Sequence, residues 1–306
     1  MTRPLHAEVL LNCGAGTQRA QLLSEDIVRN FAQHGVRVRV HLLHDGSELV
    51  PAAQQALDAA PDVLVAGGGD GTLNAVAGVV ARTGMPLGVL PLGTLNHFAR
   101  DAGIPIELRS AIQTICEGRL VHVDVGRVNG RVFLNNSSVG LYPEAVLKRD
   151  QLQQRLGHGK WPAALWAAFW VLRRFPYFDV SLKVEGEVIR RRTPLVFIGN
   201  NDYELDGLRL GRRARLDAGL LSVHVIDCTR RFGLLMLAAR ALGGRLQQAR
   251  DFETLCATHV EFHTGRRRAS VATDGEVEDL AMPLVYDIDK GALSIFVPQA
   301  TAATEE

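Results

Sequence analysis

The chain has 306 residues, of which 47% are apolar and 22% charged; these globular values exclude disorder, collagen and coiled coil as global descriptions. Its 34 basic and 33 acidic residues leave a net charge of +1, so no overall excess of charge points to nucleic acid or to an acidic tail. The balance is uneven along the chain, with 9 basic and 12 acidic residues in 1–124 against 25 and 21 in 125–306. The four cysteines, Cys13, Cys116, Cys228 and Cys256, share no metal-ligand spacing, so free thiols in a reducing compartment are expected. The N-terminal apolar run stops at Asn12, and no signal peptide is expected. The longest apolar run, 161–172, is short of the roughly 20 residues that span a bilayer.

Strand and helix signals alternate through the first 120 residues. Residues 7–11 (AEVLL) read as a buried strand, and 17–34 as a helix on the spacing of Leu22, Leu23, Ile27, Val28 and Phe31. Residues 36–43 alternate like a strand, 47–60 read as a helix and 62–66 as a short strand. That strand runs into Gly67-Gly68-Gly69-Asp70-Gly71-Thr72, after which 73–81 read as a helix. Another strand, 86–90, ends in Pro91-Leu92-Gly93-Thr94. Such alternation predicts a parallel sheet, with a ligand outside the carboxyl ends of its strands, where both glycine turns fall. From about residue 121 the pattern changes to strand after strand, including 121–128, 131–137, 179–184, 188–192, 195–200, 220–227, 260–263, 270–272 and 292–297. Helical stretches interrupt near 143–174 and 230–247. This part reads as a β-sandwich-type domain.

Consecutive glycines let backbone N–H groups approach phosphate oxygens with no Cβ between, and the following helix N-terminus adds partial positive charge. Thr72 is placed to cap that helix or to bond a phosphate. Asp70 inside an anion site calls for a cation, so Mg²⁺ shared with a triphosphate is one reading; a carboxylate capping the helix is the other. No Lys-Ser/Thr follows the glycines, and the dinucleotide spacing is not met.

Gly68-Gly69-Asp70-Gly71-Thr72-Leu73-Asn74 resembles the signature loop of the diacylglycerol kinase, sphingosine kinase and ceramide kinase catalytic domain. Residues 91–101 (PLGTLNHFARD), 135–140 (NNSSVG) and 273–276 (TDGE) resemble the family's later motifs, in order, across nearly the whole chain. The resemblance implies an α/β nucleotide-binding domain, phosphofructokinase-like, over 1–124, completed by 293–306. A β-rich, β-sandwich-type lipid-binding domain over 125–292 would follow, with the active site in the cleft between. It implies ATP and Mg²⁺ as cofactors and a membrane-lipid hydroxyl as acceptor. Asn12, Gly14, Gly16, Gly68, Gly69, Asp70, Gly71, Thr72, Leu73, Asn74 and Thr94 would bind nucleotide, Asp70 would also hold the metal, and Glu276, with Asp274 beside it, would activate the acceptor.

Three places depart from the family's pattern. The first turn is Asn12-Cys13-Gly14-Ala15-Gly16 rather than Asn-Pro, no Thr stands at 43–46, and Ala218 stands where a structural Mg²⁺ loop has Asp, leaving Asp217 as the carboxylate that could replace it. On composition alone, Asp274-Gly275-Glu276 is a surface hairpin turn. Trp161, Trp166 and Trp170 fit either an interfacial helix or a core helix. The arginine runs 190–192, 212–215 and 266–268 read singly as solvated faces and together as a surface for an anionic leaflet. The expectation is a cytoplasmic lipid kinase, peripherally associated with the inner face of the membrane, with no nucleic-acid partner and with a homodimer left open. The alternatives are an NAD kinase-like enzyme and a lipid-binding regulatory protein with a relict nucleotide site.

Overall fold

The computed structural model describes residues 5–13, 17–140, 177–184, 186–206, 209–213, 215–226 and 252–299. Gly14, Gly16, Cys228, the tryptophan segment and the stretch 230–247 lie outside them. The chain forms two units, 1–125 with 290–306, and 126–289.

In the first unit, β1 (His6–Asn12), β2 (Arg37–Leu43), β3 (Val63–Gly68) and β4 (Leu87–Pro91) form a parallel sheet in the order β2-β1-β3-β4. The end of β18 (Leu284–Val297) extends it beside β4, with Ile295 opposite Leu87. β1, β3 and β4 are almost wholly buried, as strands covered on both faces must be, and in β1 this includes the carboxylate residue Glu8 among the apolar ones. Helices α1 (Thr17–Gln33), α2 (Leu49–Asp58), α3 (Asp70–Val80), α4 (His97–Asp101) and α5 (Leu108–Glu117) complete this unit. α1 buries Ala20, Ile27 and Phe31, which lie within a narrow stripe at 3.6 residues per turn. Leu22 and Val28 lie off that stripe and are exposed, so the helix forms as expected on a narrower apolar face.

In the second unit, β7 (Asn136–Gly140), β10 (Leu195–Asn200), β13 (Leu221–Ile226), β14 (Phe252–Ala257), β16 (Arg268–Thr273) and β17 (Glu276–Ala281) make an antiparallel sheet ordered β14-β13-β10-β7-β16-β17. A second antiparallel layer runs from β9 (Glu187–Thr193) through β8 (Phe178–Val184) and β15 (His259–Thr264) to the first residues of β18. β5 (Arg119–Val128) pairs with β18 and with β6 (Arg131–Phe133), and β11 (Tyr203–Asp206) pairs with β12 (Arg209–Arg213). The two layers share one core, which includes Phe133, Val139, Ile198, Val223, Phe262 and Tyr286. The architecture is an α/β domain followed by a β-sandwich-like domain.

Candidate active site

The register of the parallel sheet fixes where the glycine loops begin. Gly68 stands opposite Pro91 and Gly67 opposite Leu11, so Asn12, Gly68 and Pro91 end neighbouring strands at the carboxyl edge. The Gly68 carbonyl accepts from Leu92 N at 2.9 Å and Gly93 N at 3.2 Å, which ties the two loops together as they leave the sheet. A Cβ on Gly93 would meet Gly69 Cα at 2.4 Å, and one on Gly68 would meet Thr72 Oγ1 at 2.4 Å, so packing requires both glycines. Gly69 is different. It is the N-cap of α3 in an extended conformation, and a Cβ there would have only an ordinary contact at 3.5 Å.

Thr72 is the third residue of α3 and buried; Asn12 Nδ2 donates to its Oγ1 at 2.9 Å, so it supports the loop from beneath and does not cap the helix. The Leu73 side chain is in the core. Asn74 keeps a buried Oδ1 with no hydrogen-bond partner among the described residues. Asp70 caps a helix, though not its own. Its carboxylate accepts from His97 N at 3.1 Å and Phe98 N at 3.2 Å, the first amides of α4. Asn96, buried and left-handed at φ 51°, closes the second loop: its Nδ2 donates to Pro91 O and Gly93 O, and its Oδ1 accepts from Gly93 N. Thr94 is exposed beside it.

The donor set for a cation can be judged from these contacts. The two amides take one acceptor position on each Asp70 oxygen and leave another. Among the described residues no three His, Cys, Asp or Glu side chains gather into a metal cage. Mg²⁺ commonly takes only one or two carboxylates and completes its shell with phosphates and water, so Asp70 fits a Mg²⁺ delivered with a nucleotide. Asp217 is exposed, and its bond with Arg215 at 3.0 Å holds its carboxyl below the usual range.

In the second unit, Asp274 and Gly275 both have positive φ, 48° and 90°, the signature of a two-residue type I′ hairpin between β16 and β17. The Asp274 carboxylate turns inward and accepts from Leu134 N at 2.7 Å, Asn135 N at 2.8 Å and Asn136 N at 3.0 Å. Burial nevertheless pushes its pKa up to about 6, against the opposing pull of these amides and of Arg213. Glu276 opens β17 with its side chain exposed. The turn expected at 274–276 is present, and its two carboxylates have different surroundings: Asp274 is engaged with backbone, while Glu276 faces solvent.

Asn96 and Arg213 were not singled out in the sequence as site residues. Asn in a glycine-containing turn is a readable signal for a left-handed position. Arg213 lies in a run that reads as a solvated face, yet it is 5% exposed.

Residues 6–128 match the diacylglycerol kinase catalytic domain, and residues 139–297 match the YegS C-terminal NAD kinase beta sandwich-like domain. A diacylglycerol kinase of Staphylococcus saprophyticus is 27% identical over 225 residues, 72% of this chain and 72% of its own. One from Staphylococcus aureus is 27% identical over 225 residues, covering 72% and 70%. The crystal structure of a diacylglycerol kinase from Bacillus anthracis superposes with a TM-score of 0.69 at 19% identity, covering 96% of this chain and 97% of that one. At that identity the superposition shows the fold.

Proposed function

Because the chain belongs to the family of the diacylglycerol kinase catalytic domain, with its YegS-type C-terminal sandwich, we propose that it transfers the γ-phosphoryl group of ATP to a hydroxyl of a membrane lipid such as diacylglycerol or a sphingoid or ceramide-type lipid. The observation that carries the nucleotide half is the joined pair of loops, in which the Gly68 carbonyl takes the Leu92 and Gly93 amides and Gly69 packs on Gly93 backbone on backbone. That arrangement presents amides to an anion with no side chain in the way. The backbone around Gly69, Asp70 and Gly71 and the N-terminus of α3 would cradle the phosphates, with Asn12 and Thr72 holding the loop in shape and Thr94 at its rim. A Mg²⁺ arriving with the nucleotide would be held by Asp70 and would neutralise phosphate charge.

The second unit supplies the base. As the acceptor oxygen bonds to the γ-phosphorus and ADP leaves, the hydroxyl proton passes to the Glu276 carboxylate. Asp274, whose oxygens already take three amides, anchors the turn that carries it. The basic surplus beyond residue 124 supports docking of this half on an anionic, cytoplasmic leaflet.

The test is labelled ATP with a panel of diacylglycerol, monoacylglycerol, sphingosine and ceramide in anionic vesicles, with NAD as a further acceptor. Label in a lipid and none in NAD is expected. Label in NAD alone would make the NAD kinase-like reading correct, and ATP binding with no labelled acceptor would make the nucleotide site a relict.

A further inference from the structure

The base at the 274–276 turn is only as well placed as the segment to which the turn is fastened. Asp274 fastens it to residues 134–136 through the amides of Leu134, Asn135 and Asn136, and Asp274 N donates back to Asn136 O at 2.9 Å. The other side of that segment is held by a buried arginine. Arg213 Nη1 donates to Leu134 O at 2.5 Å and Asn200 O at 3.3 Å, and Nη2 donates to Asn135 Oδ1 at 2.9 Å. Its guanidinium lies 5.4 Å from the centre of the Tyr203 ring. Asn200 adds two bonds, from Nδ2 to Leu134 O and from N to Asn135 O, both at 2.9 Å.

We propose that Arg213 is a positioning residue for phosphoryl transfer: by bracing residues 134–135 it fixes the segment that anchors Asp274, and so sets where the Glu276 carboxylate stands. Removing the arginine takes a donor from each of Leu134 O, Asn200 O and Asn135 Oδ1, so the change costs stability as well as register, and the rate must be read against the fold. A planar, five-donor fork supplies a fixed register between Leu134 O and Asn135 Oδ1, which a lysine or an apolar side chain does not. Its charge also favours the ionised, accepting form of Asp274. The brace sits behind the turn, so it acts through Asp274 and then Glu276. The inference rests on Glu276 being the acceptor base.

The test compares Arg213→Met, Arg213→Lys and Asn135→Ala, each in the wild-type and Glu276→Gln backgrounds, with three readouts: lipid phosphorylation, ATP affinity, and hydrogen exchange of the Leu134, Asn135 and Asn136 amides. In the wild-type background, Arg213→Met is expected to lower kcat at least tenfold, leave ATP affinity within twofold, and speed exchange at the three amides. Arg213→Lys is expected to recover part of the rate. In the Glu276→Gln background the same change should cost less than twofold, since the base it positions is gone. Asn135→Ala removes one acceptor while keeping the backbone amide that Asp274 uses, so it gives the same comparison should Arg213→Met not fold. An equal loss in both backgrounds, or unchanged exchange at 134–136, overturns the proposal while leaving the base in place. Wild-type phosphorylation by Glu276→Gln alone would instead remove the base, and the positioning role with it.

Discussion

Gly68 and Gly69 are neighbours of one residue type, and the structure gives them different requirements. Alanine at Gly68 would drive a Cβ onto Thr72 Oγ1, so Gly68→Ala is expected to cost about 1–3 kcal/mol of stability, read by denaturant unfolding. Gly69 has room for a Cβ in an extended backbone, so Gly69→Val should melt near wild type. Its side chain would occupy the space that the proposed function gives to phosphate, and ATP affinity should fall at least tenfold, about 1.4 kcal/mol, in a calorimetric titration. Unchanged affinity in the folded variant would remove the phosphate-loop reading. The sequence showed this loop through its glycines; it did not show which glycine serves packing, because the answer depends on Thr72 and on a second loop more than twenty residues away. Two titratable groups shifted by burial give a second test at this scale. Asp274 sits at about 6, above the ordinary aspartate value of about 3.9, so the folded chain keeps a proton that the unfolded chain releases between about pH 4 and 6. This carboxyl therefore makes stability fall as pH rises through that window. His224, lowered by burial to about 4, acts in the opposite sense: below about pH 6.5 the unfolded imidazole takes up a proton that the folded one does not, so stability rises as pH climbs from about 4 to 6.5. Asp274→Asn removes the first slope and leaves the second. Urea unfolding at stepped pH should show its stability climbing more steeply than that of wild type over this range, and equal slopes would contradict the assignment.

At the scale of elements, α4 shows why some of the fold was not legible. It has five residues, too few for periodicity to register, and its first amides are satisfied by Asp70, 27 positions earlier. The expected strand 131–137 instead breaks into β6 and β7 around Leu134 and Asn135. The Leu134, Asn135 and Asn136 amides, at that break and at the start of β7, are given to Asp274, a contact made across nearly half the chain. The hairpin turn at 274–276 implies a strand after it but not its bounds: the only well-buried residue of β17 is Leu280, and it is a strand because it pairs with β16. The apolar strands β1, β3 and β4 were legible, since burial on both faces writes itself as nearly continuous hydrophobic runs, interrupted in β1 by the buried Glu8. The second glycine loop offers a test at this scale. Asn96 contributes both a left-handed backbone and three side-chain hydrogen bonds. Asn96→Gly keeps the conformation and loses the bonds, whereas Asn96→Ala loses both. Both should weaken ATP binding, and the alanine variant should be less stable than the glycine variant by about 1 kcal/mol in denaturant unfolding. Equal stability would mean that the left-handed conformation at 96 carries no cost.

For the molecule as a whole, charge and chemistry divide along the chain. The glycine loops belong to the first unit and the turn bearing Glu276 to the second, so the proposed transfer assigns a part to each. The basic surplus lies beyond residue 124. Among the described residues no helix is long and apolar enough to cross a membrane. The docking proposed for that half predicts that sedimentation with vesicles rises with the fraction of anionic lipid and falls with added salt, whose screening length is about 10 Å at 0.1 M. Binding that ignores both would contradict an electrostatic docking surface.

Lipid phosphorylation by Glu276→Gln, measured with labelled ATP beside ATP affinity and melting temperature, is the most direct test of the proposed chemistry. Glu276 is exposed at the start of β17, so the change should cost little stability. A positioned base is typically worth 10²–10⁴ in rate, so phosphorylation should fall by about two orders of magnitude or more while ATP affinity and melting stay near wild type. Phosphorylation at the wild-type rate would mean that the turn is a surface hairpin and that the acceptor's proton leaves by another route.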